Sequence, residues 1–198
     1  MSDVEPLVGC VPPAQAITKP PSAAMPMEGS SWNGTLRVSE ANGLRGELPA
    51  EVQETLLRHE REGTTDSSEY EEACMPFYDR HVCRVKPWPD YVARTFAQMP
   101  NEVYLTMNGP SEFHCIGTLK DWDITDRLPE IDVPALVISG RYDEATPTIA
   151  RAVHEGIRGS EWVLFEESSH MPHVEETERF LDVVNGFLDR VEASGDGG

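Results

Sequence analysis

Pro134-Ala135-Leu136-Val137-Ile138-Ser139-Gly140 constrains this chain more than any other stretch. A short continuous apolar run closed by glycine is the pattern of a strand buried on both faces, and such strands belong to parallel sheets covered by helices. Thr146-Pro147 then opens a helix carrying Ile149, Val153 and Ile157 at fourfold spacing, with proline at a position where no amide is needed. Trp162-Val163-Leu164-Phe165 reads as a second buried strand. A helix from about Glu176 turns Phe180, Val184, Phe187, Leu188 and Val191 inward. Strand, helix, strand, helix is the closing part of a doubly wound α/β sheet.

Upstream the hydrophobic period changes. Pro49 suits a first helical position; Val52, Leu56 and His59 share one face, and Gly63 is placed to stop the helix. Ser68 and Glu71 form a capping-box pair ahead of Tyr70, Ala73, Cys74, Phe77, Tyr78 and His81, a continuous helical stripe. Pro76 inside that stripe removes one backbone bond and should kink it. A third helix follows Pro89 and buries Tyr91 with Phe96. Three successive helices with no strand between them predict a helical subdomain. Residues 1–28 hold six of the sixteen prolines and no steady period, so they read as a mobile leader.

Charge narrows the function. Lys and Arg number 16 against 35 Asp and Glu, a formal net charge of −19. Nucleic-acid binding needs clustered cations to release counterions, and an anionic membrane surface needs them too; both partners are excluded on that ground. No apolar run approaches the ~20 residues of a membrane span. The start, Met1-Ser2-Asp3-Val4-Glu5, has neither the basic residues nor the apolar stretch of a secretion signal, so a cytoplasmic location is expected. Cys10, Cys74, Cys83 and Cys115 are scattered, with no CxxC pair, and read as free buried thiols. Asn33-Gly34-Thr35 matches a glycosylation acceptor by chance.

Functional groups in open α/β sheets collect past the carboxyl ends of strands. Past the first strand lies Gly140-Arg141-Tyr142-Asp143-Glu144; past the second lies Glu167-Ser168-Ser169-His170-Met171-Pro172-His173. If the strands are neighbours, Asp143 and His170 share one sheet edge. A carboxylate and an imidazole so placed form the acid–base half of a nucleophilic triad: the Asp fixes the His tautomer, and the His moves a proton between nucleophile and leaving group. A metal site of His170, His173 and Glu175 or Glu176 is the weaker reading, because Pro172 intervenes and no HExxH pattern exists. No metal or cofactor is expected. His59, His81, His114 and His154 read as structural or surface residues.

Three further runs carry a family resemblance: Tyr104-Leu105-Thr106-Met107-Asn108-Gly109-Pro110-Ser111-Glu112-Phe113, Gly117-Thr118-Leu119-Lys120-Asp121-Trp122-Asp123, and Ser139-Gly140-Arg141-Tyr142-Asp143-Glu144-Ala145-Thr146-Pro147. Together they resemble the C-terminal part of proline iminopeptidases, α/β-hydrolase-fold serine aminopeptidases that release an N-terminal residue, preferring proline. The resemblance covers roughly residues 30–192. It implies a partial α/β-hydrolase fold without the N-terminal half of the sheet: a leader at 1–28, a helical cap at 29–110, the last strands and helices of the core at 111–192, and a flexible tail at 193–198. It further implies Asp143 as triad acid, His170 as triad base, Glu112 and Glu144 as acids that hold the substrate's free α-amino group, and Tyr104 beside them. The partner implied is a peptide with a free N-terminal residue.

One part of the family pattern is missing. Such enzymes carry their serine in a G-x-S-x-G elbow, with a glycine-rich loop supplying the oxyanion hole. No serine of this sequence has glycine at both −2 and +2; Ser31 has Gly29 but Asn33, and Ser111 has Gly109 but Phe113. The chain is therefore expected to be inactive alone, with a non-catalytic binding module derived from the hydrolase as the alternative. Strands lacking their neighbours leave an exposed sheet edge, so marginal stability, self-association or dependence on a partner is expected.

Overall fold

The computed structural model describes residues 17–18, 33–99 and 101–195 of the chain. The expected leader, Ile17–Thr18 apart, lies outside the described residues, as does the tail beyond 195. Among the described residues, Ile17–Thr18 is followed by five helices: α1 (Gly34–Arg45), α2 (Ala50–Glu62), α3 (Ser68–His81), α4 (Asp90–Gln98) and α5 (Asn101–Met107). Short 3₁₀ turns at Thr118–Asp121 and Thr125–Glu130 lead into the sheet.

Local chemistry sets most of these boundaries. Asn33 caps α1: its side chain accepts the Leu36 amide at 2.9 Å and donates to Asp123 at 2.7 Å, satisfying an amide the first turn cannot. The residue of the glycosylation-like pattern is thus a helix cap. Pro49 stands just before α2, not within it, and Gly63 ends that helix in the left-handed region at φ 69°. The cap of α3 is Ser67, whose hydroxyl accepts the Tyr70 amide at 3.2 Å. The capping box expected at Ser68 does not form, because Tyr70 occupies the position from which a carboxylate would reach back. Helix α3 runs on through Pro76 to His81. In α4 the buried residue is Val92, and Tyr91 is 45% exposed. The expected burial of Tyr91 is off by one position on the helix.

The stripe on α3 builds the first core cluster. Tyr70, Cys74 and Phe77 pack with Leu48, Leu56, Ala41 and Phe113, all buried. Phe77 meets Phe113 edge-on at 4.8 Å between centroids. Each large side chain so removed from water stabilises the fold by about 1.5–3 kcal/mol.

The sheet orders β1 (Ile17–Thr18), β2 (Ala135–Gly140) and β3 (Glu161–Phe165). Strand β1 is antiparallel to β2; β2 and β3 are parallel, in register from Leu136 opposite Glu161 to Gly140 opposite Phe165. Between them runs α6 (Pro147–Gly156), and after β3 come α7 (Pro172–Glu175) and α8 (Thr177–Gly195). Every residue of β2 is buried, and successive side chains point to opposite faces. Ala135 and Val137 pack on Ala150, Val153 and Ile157 of the α6 side, while Leu136 and Ile138 pack on Phe165 and Phe187 of the α8 side. Strand β3 departs from expectation: Trp162, Val163 and Leu164 are half-buried and only Phe165 is fully enclosed. Leu188 also departs, at 39% exposure, because it follows Phe187 round the helix and off the packed face. Cys74, Cys83 and Cys115 are buried and unbridged. Among the described residues no helix is long and apolar enough to cross a membrane.

Candidate active site

The loops that follow β2 and β3 are pressed together by backbone. A methyl group on Gly140 would overlap the carbonyls of Ser168 and Ser169, so only glycine lets the second loop cross the end of the first strand. Arg141 and Tyr142 amides donate to the Phe165 and Ser168 carbonyls at 2.8 and 3.0 Å. Helix α3 clamps the same loop from outside. His81 Nδ1 donates to the Tyr142 carbonyl at 2.8 Å, and the Glu144 amide donates to the His81 carbonyl at 3.3 Å. Glu175 accepts both the Ser169 amide and hydroxyl at 2.7 Å, and Glu176 accepts the Ser168 hydroxyl at 2.6 Å. These two acids, considered above as metal ligands with His170 and His173, instead hold the loop in shape. His173 packs on Phe180 at 5.9 Å between ring centroids. That metal set does not assemble; the clustered groups are Asp143, Glu144 and His170.

Asp143 and His170 meet at this edge. His170 Nδ1 lies 2.7 Å from Asp143 Oδ1, which also accepts the Ala145 amide at 2.9 Å. With its proton on Nδ1, a neutral His170 carries its lone pair on Nε2. Glu144 is the second acid of the cluster: Oε1 is 3.4 Å from His170 Nδ1, but the single Nδ1 proton is directed at Asp143. Neither oxygen of Glu144 has a hydrogen-bond partner among the described residues, nor does Asp143 Oδ2. Both acids are 1% exposed. Burial, followed by the charges of Glu112 and Asp143, pushes the Glu144 carboxyl up to about 8 against the pull of His170 and Arg37. Burial works to lower His170, and the Glu144 and Asp143 carboxylates overcome it, raising the imidazole to about 9.

Glu112 sits at the other end of the site and is already engaged. Its Oε2 pairs with the Arg37 guanidinium, and its Oε1 accepts the Tyr104 hydroxyl at 2.6 Å. Asn108 ties the group together: its oxygen accepts from Arg37 at 2.5 Å, and its amide donates to Tyr104 at 2.9 Å and to the Ser111 carbonyl at 3.0 Å. Gly109, at φ 124°, makes the turn that brings Ser111 and Glu112 back beneath α5. Burial alone would loosen the Arg37 proton, but Glu112 and Glu144 hold it more tightly than usual. The Tyr104 hydroxyl is raised far above its ordinary range by burial, then by Glu112. The structure therefore brings Asp143, His170 and Glu144 into contact, and joins Tyr104 to Glu112. Sequence reasoning missed Arg37 and Asn108; the Asn108-Gly109 turn dipeptide was the one signal available for the second.

No family model matches the sequence. Individual proteins do. The proline iminopeptidase of Saccharolobus solfataricus is 43% identical over 155 residues, 78% of this chain and 50% of that protein. That of Thermoplasma volcanium is 35% identical over 157 residues, 78% of this chain and 53% of its own. Among solved structures, VinJ superposes with a TM-score of 0.78 at 47% identity, covering 81% of this chain and 55% of VinJ. The Mycobacterium smegmatis proline iminopeptidase superposes at 0.73 with 43% identity, over 83% of this chain and 56% of its own. The chain spans about half the length of the curated relatives it matches. By sequence and by structure, the matched part of this chain is similar to about half of each of these proline iminopeptidases, and it carries part of an α/β-hydrolase fold.

Proposed function

We propose that this chain supplies the acid–base and amine-binding part of an aminopeptidase that releases an N-terminal residue, proline preferred, from peptides. The observation that supports the reading is the 2.7 Å contact of His170 Nδ1 with Asp143 at the ends of two adjacent parallel strands, beside a buried carboxylate with no hydrogen-bond partner among the described residues. In this reading Asp143 orients the imidazole through Nδ1–H, and Nε2, once it has lost the proton that the neighbouring carboxylates favour, takes a proton from a nucleophile and returns it to the leaving amine. Glu144 and Glu112 supply the negative charge that selects a free α-ammonium, which counts for more in a site removed from water. In this reading the cap expected over 29–110 is described at 33–99 and 101–110, and 111–192 are the core portion. The sequence holds no G-x-S-x-G serine, so the chain by itself turns over negligibly; removing the serine from a comparable triad costs on the order of 10⁶ in kcat.

A chimera tests this. The part of the Mycobacterium smegmatis relative that this chain does not match, joined to the chain, is expected to release arylamine from a prolyl arylamide. His170→Ala in the chimera abolishes that release, and N-acetylation of the substrate does the same. Rapid release by the unmodified chain, or indifference of the chimera to His170→Ala, overturns the proposal.

A further inference from the structure

Five ionisable groups share the buried space between α1, the 108–115 loop and the two strand-end loops: Arg37, Glu112, Asp143, Glu144 and His170. Their pairing is uneven. Glu112 has a partner on each oxygen, Arg37 on one and Tyr104 on the other. Asp143 holds His170. Glu144, 1% exposed, has no hydrogen bond to either oxygen among the described residues. Three carboxylates thus face two cations, and the geometry puts the surplus charge on Glu144. A buried carboxylate without a partner is strongly disfavoured, so this one must take a proton or a cation.

We propose that Arg37 sets the charge of the site: by neutralising Glu112 it leaves Glu144 as the free acceptor, and the site takes up one monocation, the α-ammonium of a peptide or amino acid amide, in exchange for one proton. This rests on the reading that the site receives an amino group, and it assigns the two acids different work. Glu144 contacts the ammonium, while Glu112 acts through its pairing with Arg37. The exchange balances as site–H plus ammonium giving site·ammonium plus a proton released to solvent. The groups facing Glu144 are His170, Glu112, Arg37 and Asp143. Tyr104 and Cys115 border Arg37 with raised pKa values and stay neutral. His81, which donates to the Tyr142 carbonyl, is lowered by burial. The occupying proton is held to about 8, so it is present at neutral pH and has to leave when the amine arrives.

Calorimetry of the full chain with L-prolinamide, repeated in buffers of different ionisation enthalpy, counts that proton. Close to one is expected to be released at pH 7, declining as pH approaches the Glu144 value of about 8. A charge cycle then separates charge from contact. Glu112→Gln with Arg37 retained brings the site to zero and should weaken prolinamide about tenfold or more, the scale of one lost charge-assisted contact. Arg37→Met combined with Glu112→Gln restores the surplus charge and should recover affinity to within about threefold of the unaltered chain. If Glu112 touches the ammonium itself, the double variant stays weak and the assignment is overturned; binding without proton release overturns it as well. Should Glu112→Gln alone not fold, the double variant against the unaltered chain decides. If the unaltered chain binds prolinamide and N-acetylprolinamide equally, the amine-binding reading itself falls, and the charge assignment with it.

Discussion

Glu112 and Glu144 are two acids of one site with opposite surroundings. Glu112 is locked into side chains from α1 and α5, with Arg37 on one oxygen and Tyr104 on the other. Glu144 is more deeply buried and has no hydrogen bond on either oxygen among the described residues. The first arrangement is what folding stability favours for a buried charge; the second is tolerated only where something else is gained. Their difference separates the part of the site that belongs to the fold from the part held ready for a ligand.

The most forceful way to break that contrast is to remove a partner from each end. Arg37→Ala strands Glu112 in the interior, and losing one member of a buried ion pair costs about 3–5 kcal/mol. Glu144→Gln replaces a carboxyl that has no hydrogen bond among the described residues and holds its own proton at neutral pH, and should change stability there by no more than about 1 kcal/mol. Urea unfolding of the two variants measures both. Equal losses would mean that the two acids are alike, and the contrast would fail.

A smaller effect sharpens the same contrast through pH. Glu144 is raised from 4.5 to about 8 and His170 from 6.5 to about 9. The folded state therefore holds more protons than the unfolded state, between about 4.5 and 8 for the first group and about 6.5 and 9 for the second. Stability contributed by a raised group is full below its unfolded value and is lost as pH climbs through the folded one. Unfolding free energy should fall with rising pH across this span, by at most about 1.4 kcal/mol per pH unit for each proton. In Glu144→Gln the Glu144 share of the decline is lost and the His170 share shrinks with it, because the Glu144 carboxylate is the first of the charges that raise the imidazole. A denaturant series from pH 5 to 9 reads the slope, and a stability that rises through that range would remove the basis for a proton held at Glu144.

The ends of the site also differ in how far the sequence revealed them. Strand β2, helix α6 and the Asp143–His170 meeting were legible because an apolar run closed by Gly140 marks a covered strand, and strand ends collect functional groups. Strand β3 was legible in position but not in burial, since a run of four apolar residues does not say how many neighbours cover it. Helix α1 was invisible for a physical reason. Its buried positions are Gly34, Arg37, Ala41 and Arg45, a stripe at helical spacing built from small and basic residues rather than apolar ones. Hydrophobic periodicity cannot register a face that buries guanidinium groups against Glu112 and Glu60. The charge partner of Glu112 was lost with the helix that carries it. Family resemblance pointed to Glu112 and Glu144 together, but only coordinates separate their surroundings.

The smallest expected effect tests whether the two ends are mechanically separate. Asn33 caps α1 through the Leu36 amide and ties it to Asp123. Asn33→Ala should cost about 1 kcal/mol, the usual worth of such a cap. The loss falls on the first turn of α1, which Arg37 closes through its amide to the Asn33 carbonyl, whereas Asp143 and His170 are fixed by Gly140, His81, Glu175 and Glu176. Hydrogen exchange should therefore quicken at the amides of the first turns of α1, while the downfield Nδ1 proton resonance of His170 keeps its position. If that resonance shifts or broadens with the cap, the imidazole is supported through the Arg37 network, and the site is one coupled unit rather than a rigid acid–base pair beside a helix-borne charge clamp.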